Sequence, residues 1–367
     1  MPTGFSRKQW EKVARNARAW WEGRLDRPLV QVYVGGQDAG RPAPSLPGRG
    51  FASHYDLSVP AEAIVDRWDY GIAGTKYLGD AFPHVWPNFG PGVMAGFLGS
   101  RVHNTSNTTW FEPLREAELD ELEFTFDPGN VWLRRIEDLV QAATERWQGR
   151  VQVAMTDLGG TLDVLASFRP AERLLMDLYD HPARVEELTW RLHELWWHYF
   201  DRLDAVLRGG ADPGYTAWTP LFSETPYYML QCDLSYMISP QMFERFVLPE
   251  LAASCRRLGN PAYHLDGPGQ IPHVDMLLGI PELKAIQYVP TVAARDATQY
   301  PDLYRRIRDG GKLIQVYSNH SRLGLGLVDV LAEQLGDARG IAMVASVDAG
   351  QEAEARAFLR RYGIDEE

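Results

Sequence analysis

The stretch Ala262-Tyr-His-Leu-Asp-Gly-Pro-Gly-Gln-Ile-Pro-His-Val-Asp275 decides how the rest of the chain is read. If residues 261–266 form a strand, His264 and Asp266 are two apart and share a face, with Leu265 opposite. Gly267-Pro-Gly269 then turns the chain, and Pro272 suits the first turn of a helix carrying His273, Asp275 and Met276-Leu-Leu278. A strand, a glycine-rich turn and a helix make a βα junction, the place where α/β barrels keep active sites. The bland alternative is that His264 and Asp266 brace the loop through a local hydrogen bond. His273 and Asp275 lie one turn further on, where an exposed helix face can hold them without purpose.

Working outward, 367 residues suit either two average domains or one large barrel. With 45% hydrophobic residues and 12 Trp there is ample core material, which excludes a disordered chain or a disulfide scaffold. The formal charge of −12 argues against nucleic-acid or anionic-membrane partners. Cys232 and Cys255 are far apart and form no CxxC, which fits reduced thiols. Without an apolar leader or an uninterrupted run of membrane length, a cytoplasmic location is expected.

In chain order, Ser6 caps a helix to about Gly23, expected to lid the bottom of a barrel, and residues 27–34 form the first buried strand. Residues 37–60 make a long βα loop, and 61–78 a helix. The aromatic run 82–92, with Trp86, is too irregular for a helix or strand, and serves as a plug or as a wall of the substrate site. Thr108–Glu112 is one arm of a small excursion, and 131–147 an amphipathic helix. Val151 to Gly160 is a strand that ends in Asp157 and a Gly-Gly turn, while Trp190, Trp196, Trp197 and Phe200 are assigned to core packing. Residues 215–218 and 228–233 are weaker strands that place Trp218, Cys232 and Asp233 near one rim. Ser239-Pro240 opens a helix interrupted at Pro249. Three strand–helix units follow from residues 283, 312 and 341. The alternation predicts parallel strands, about eight of them. The expected fold is α/β, a (β/α)8 TIM barrel over residues 1–367 as one domain, with an N-terminal helical extension and long βα loops.

The order of motifs resembles the uroporphyrinogen decarboxylase superfamily, which includes zinc methyltransferases that methylate coenzyme M or related thiols from corrinoid proteins. The resemblance rests on Thr156-Asp-Leu-Gly-Gly-Thr-Leu-Asp163, Leu174-Leu-Met-Asp-Leu-Tyr-Asp-His-Pro182, Ile238-Ser-Pro-Gln-Met-Phe-Glu-Arg-Phe-Val-Leu-Pro249 and His264-Leu-Asp-Gly267, and spans most of the chain. It implies a β/α barrel with a cleft at the C-terminal strand ends. Two departures limit what it implies for activity. Val32-Tyr-Val-Gly-Gly36 stands where the decarboxylases carry an arginine clamp for substrate carboxylates, and Met343-Val-Ala-Ser346 where they carry a late His. The methyltransferases' zinc site, a His-x-Cys and a late Cys, is replaced by His264-x-Asp266 with no Cys after Cys255.

The expected function is an acid/base enzyme, decarboxylase-like, acting on a small or carboxylated substrate. Asp157, His264 and Asp266 are its catalytic candidates, with Asp266 fixing the His264 tautomer. Trp86, Trp218, Asp233, Gln287, Tyr288, Tyr317, His320 and Arg322 are its substrate-binding candidates. Asp157 and Asp266 are expected to enter one cavity, with Gln287 nearby. No resident cofactor is called for. A divalent metal, if present, would sit on His264 and Asp266, and a corrinoid would enter only through a partner protein. The alternatives are a corrinoid-linked methyltransferase and a non-catalytic ligand-binding barrel.

Overall fold

The computed structural model describes residues 5–106, 108–209, 214–291 and 296–364. Its strands are β1 (Leu29–Gly35), β2 (Lys76–Gly79), β3 (His84–Val85), β4 (Arg101–Asn104), β5 (Thr109–Glu112), β6 (Gln152–Val153), β7 (Tyr227–Gln231), β8 (Asn260–Asp266), β9 (Ala285–Val289), β10 (Leu313–Tyr317) and β11 (Ile341–Asp348). One seven-stranded sheet, ordered β2-β1-β11-β10-β9-β8-β7, is parallel throughout except for β2 on β1. Helices Pro301–Asp309 and Leu327–Leu335 make the crossovers from β9 to β10 and from β10 to β11. Covering helices bury the outer face, so the strands read as nearly continuous apolar runs.

The expected eight-stranded ladder is not closed among the described residues. The strand expected over 151–160 is reduced to β6, which pairs with β3 in a separate parallel sheet, and residues 215–218 contribute only a bridge from Tyr215 to Ser223. Met155 N–H reaches Thr216 C=O at 3.0 Å, but no ladder joins this pair to β1 or β7. The cause lies in the sequence. Pro83, Pro87 and Pro91 lack the amide a ladder needs, and Pro220 lies between the bridged residues Tyr215 and Ser223. A side chain spans the opening instead, with Gln31 Nε2 donating to Pro220 C=O at 2.7 Å.

The first helix, Arg7–Trp21, starts in a capping box between Ser6 and Gln9. Its Trp10 packs with Phe82 and Phe222, and Trp21 Nε1 donates to Phe222 C=O at 2.9 Å, so it covers the N-terminal ends of the strands as expected. Buried Asp80 ties this end together, accepting from both Arg27 nitrogens, Asn16 Nδ2 and Val30 N–H. β4 and β5 are the arms of the excursion. The helix at Ser239 breaks at Val247, since Pro249 removes an amide, and resumes over Leu248–Arg257. In helix Pro182–Arg208, Trp196, Trp197 and Phe200 are core as expected, but Trp190 is 43% exposed.

Candidate functional site

The register of the parallel strands builds the site. Gln231 pairs with His264, His264 with Gln287, and Gln287 with Gln315, so one polar row crosses β7, β8, β9 and β10. Paired residues of parallel strands share a face, and the next inward position lies two residues on. That step puts Asp266 at the end of β8 and Tyr317 at the end of β10, with Asp233 just past β7. His264 and Asp266 do share a face, flanked by the fully buried Tyr263 and Leu265. Gly267, at φ +77°, then turns the chain away.

A chain of amides sets the proton on His264. Gln315 Nε2 donates to the Val316 carbonyl at 3.0 Å, an acceptor that admits only one orientation of that amide. Gln315 Oε1 therefore faces Gln287 and accepts from its Nε2, so Gln287 Oε1 faces His264 Nδ1, which must donate. His264 thus carries its proton on Nδ1, and its Nε2 keeps a lone pair. This corrects the expectation for Asp266, because the tautomer is set by Gln287. Burial makes the imidazole harder to protonate, partly offset by the negative charge of Asp266 and by the Gln287 bond.

Asp233, His264 and Asp266 each bring a donor atom to within 4.8 Å of the others. Among the described residues neither carboxylate has a hydrogen-bond or ion-pair partner for its side chain. Asp233 touches solvent at the rim while protein surrounds most of its carboxyl, and that desolvation, followed by the charge of Asp266, pushes it up to about 7. Its position is set by Asp163, whose carboxylate accepts the backbone N–H groups of Asp233 at 2.9 Å and Leu234 at 2.7 Å. Burial and then the Asp233 charge push Asp163 itself up to about 7.

Several other candidates join this mouth. Trp218 stands edge-on to His264 with ring centroids 5.1 Å apart, and Trp86 is 6.5 Å beyond Trp218. Tyr317 donates to Thr219 Oγ1 at 3.4 Å and stands edge-on to His320 at 5.3 Å. His320 is pushed down to about 4 by burial and then by its neighbour His264, so both imidazoles are neutral at pH 7. Other candidates do not join. Tyr288 follows inward-facing Gln287 and so points into the helix layer, where its ring packs on Tyr300 and Tyr304. Arg322 is exposed, and its backbone N–H binds Asp296. His273 stacks flat on Phe243 and binds the Ser235 carbonyl, while Asp275 pairs with Arg306 on the surface.

Asp157 is anchored to its own turn, and its charge is among those that raise Asp233. Its carboxylate accepts from Gly159 N–H at 2.8 Å and from the Tyr228 hydroxyl at 3.4 Å, and the Tyr228 ring packs against Trp196 and Phe200 of the helix layer. Burial pushes it up to about 7. Gly159, at φ +81°, lets this turn touch the 90–92 loop, since a Cβ there would stand 2.5 Å from Gly92 Cα.

Beside the mouth is an open cavity of about 410 Å³, in the size range of small-molecule sites. His264 and Asp266 do not line it, and its wall residue Trp86 links it through Trp218 to His264. A scan against protein-family models gives no match, and a search of curated proteins gives none either. No helix among the described residues is long and apolar enough to cross a membrane.

Sequence reasoning passed over Gln315, Asp163 and the cavity. A signal for Gln315 was present, because Leu29-Val-Gln-Val-Tyr33 and Leu313-Ile-Gln-Val-Tyr317 repeat one pattern, with a Gln inside an otherwise apolar strand. A buried strand tolerates such an amide only where partners await it.

Proposed function

We propose that this protein is a cytoplasmic lyase of the uroporphyrinogen-decarboxylase-like kind, a β/α barrel whose mouth moves a proton to or from a carbon of a small carboxylated substrate. The observation that carries the reading is the amide chain from Val316 through Gln315 and Gln287, which holds the proton on His264 Nδ1. A neutral imidazole with a fixed tautomer, beside a carboxyl group poised near pH 7, is a matched acid/base pair. In a decarboxylation the C–C bond to the carboxyl breaks, CO2 leaves, and the electron pair on carbon takes a proton. Asp233, protonated in part at neutral pH, supplies it; a proton from solvent then reaches His264 Nε2 and passes on to Asp233, which restores the acid. Trp218, Tyr317 and His320 wall the reacting end, and Asp163 positions Asp233. Asp157, bound to its own turn, holds the 157–160 corner against the 90–92 loop. The test is a CO2-release screen over aryl- and heteroaryl-acetic acids. Turnover lost at least a hundredfold in His264→Gln, with melting unchanged, supports the reading; turnover in His264→Gln and Asp233→Asn equal to that of the wild type refutes it.

A second reading is favoured by the donor atoms of Asp233, His264 and Asp266, which lie within 4.8 Å of one another. Two carboxylates and an imidazole that donates its other N–H to Gln287 match the chemistry of a divalent-cation site with its supporting hydrogen bond. The ion would supply Lewis acidity. The donor set does not suit the thiolate zinc of corrinoid-linked methyltransferases, since burial pushes the adjacent Cys232 thiol well up. Mn2+ and Zn2+ titrations of the wild type and Asp233→Asn, with a pull-down on a cobalamin-loaded protein, separate this reading from the first. Tight metal binding lost in the variant favours it, and absence of binding removes it.

A further inference from the structure

The cavity beside the mouth holds an arginine without a counter-charge. It is walled by Tyr33, Tyr55, Trp68, Tyr77 and Trp86, with Arg49 and Arg67 at one side. Arg67 is half-buried and stacks over the Tyr70 ring at 5.1 Å, and its Nη1 is buried without a hydrogen-bond partner. Among the described residues no carboxylate pairs with Arg67 or with Arg49, although most arginines around them, Arg41 and Arg146 included, are paired with acids. Space is kept for the guanidinium by Gly48, where a Cβ would stand 3.0 Å from Arg67 Nη2. A buried donor of a charged group left unmet is costly, and native interiors supply it with a partner. What Arg49 and Arg67 both lack is a counter-charge, and the open cavity they line has room for an anion.

We infer that this cavity is a binding subsite for an oxyanion, a carboxylate or a phosphate monoester, carried on a flat aromatic body. The guanidinium fork receives the anion through paired N–H donors, and the aromatic walls receive the ring. Trp86 joins the cavity to Trp218 and so to His264, which orients such a ligand with its anion at Arg67 and its other end toward the mouth. This deepens the lyase reading, and rests on it only for what happens at the far end of the ligand.

The test measures binding of 2-naphthoate, 2-naphthyl phosphate and neutral 2-naphthamide to the full chain by calorimetry, in the wild type, Arg67→Met, Arg67→Lys and His264→Asn. Expected are binding of at least one anion, a loss of tenfold or more in Arg67→Met, a smaller loss in Arg67→Lys, and weak naphthamide binding insensitive to both. Comparing naphthoate with naphthyl phosphate identifies the anion. Retention in His264→Asn separates the subsite from the reacting cluster, so a failed turnover screen leaves this result standing. Anion binding unchanged in Arg67→Met at unchanged melting temperature, or naphthamide as tight as naphthoate, overturns the inference. If Arg67→Met lowers the melting temperature, Gly48→Ala gives the second reading, because it displaces the guanidinium without removing it and must also weaken the anions.

Discussion

Replacing Gln287 by Leu, nearly the same size, cuts the amide chain at its middle. It leaves the His264 Nδ1–H and Gln315 Oε1 without the partners they have now. Each buried polar group so stranded costs about 1–3 kcal/mol, so the variant should lose about 2–6 kcal/mol of stability. Gln315→Leu strands the other side of the same bond, leaving Gln287 Nε2 the long 3.4 Å contact to Thr219 and its interaction with Tyr317. In the double variant the Gln315 oxygen and the Gln287 amide are both gone, so its loss should fall short of the summed single losses by about 1–3 kcal/mol. Urea unfolding of the four proteins closes the cycle. Nitrogen NMR of selectively labelled histidine reads the chemistry. The wild type should show His264 protonated at Nδ1, whereas Gln287→Leu should move the proton to Nε2, which then donates to the Asp233 and Asp266 carboxylates. Additivity within about 0.5 kcal/mol, the limit expected of independent sites, together with an unmoved tautomer, would refute the chain as the device that sets His264.

Arg27→Met should destabilise the protein by about 3–5 kcal/mol, because it strips a buried carboxylate, Asp80, of its bidentate partner; calorimetric melting checks this, and a loss below about 1 kcal/mol, the size of a surface pair, contradicts it. Asp157 has its folded-state pKa raised to about 7 from an ordinary 3.8, so its contribution to stability is full below about pH 4 and is lost as pH rises through 7. Asp157→Asn should therefore gain stability relative to the wild type between pH 4 and 8, and a flat difference in denaturation midpoint across that range would count against the buried, protonated carboxyl. His84 and His320, lowered to about 4, act with the opposite sign, contributing above pH 6.5 and losing that contribution as pH falls through 4. Purified protein should form little or no coproporphyrinogen from uroporphyrinogen, measured by fluorescence after oxidation; robust formation abolished by Arg67→Met would show that the cavity arginines replace the missing clamp.

What was legible in the sequence was whatever period and punctuation control. The alternation in Tyr263-His-Leu-Asp266 put His264 and Asp266 on one face, and the strand–helix rhythm after residue 283 gave the parallel order β8-β9-β10-β11. The same alternation, applied to Ile286-Gln-Tyr288, sends Tyr288 outward when Gln287 points in, which is where the structure has it. Barrel closure failed to follow because a count of strands says nothing of whether prolines interrupt their ladders. Asp163 and Arg67 were illegible for a different reason. Asp163 acts through backbone amides 70 residues away, and Arg67 matters for the partner it lacks. Neither relation leaves a local pattern.

The distribution of charge gives the site a direction. At the mouth Asp233 and Asp266 stand beside two neutral imidazoles, with no described cation paired to them, while Arg49 and Arg67 stand unpaired across the Trp86–Trp218 wall. A ligand with anions on every side would bring one of them against the acidic pair, where the missing cationic donors leave its desolvation unrepaid. A ligand with one anion at its tail avoids that cost and gains the guanidinium. If a second carboxylate is the reacting group, it enters the acidic mouth at a disadvantage that disappears when it leaves as neutral CO2. On the lyase reading proposed above, the substrate class that satisfies both ends is a flat molecule with a distal anion and a single labile group, a narrower description than the decarboxylase resemblance alone supplies.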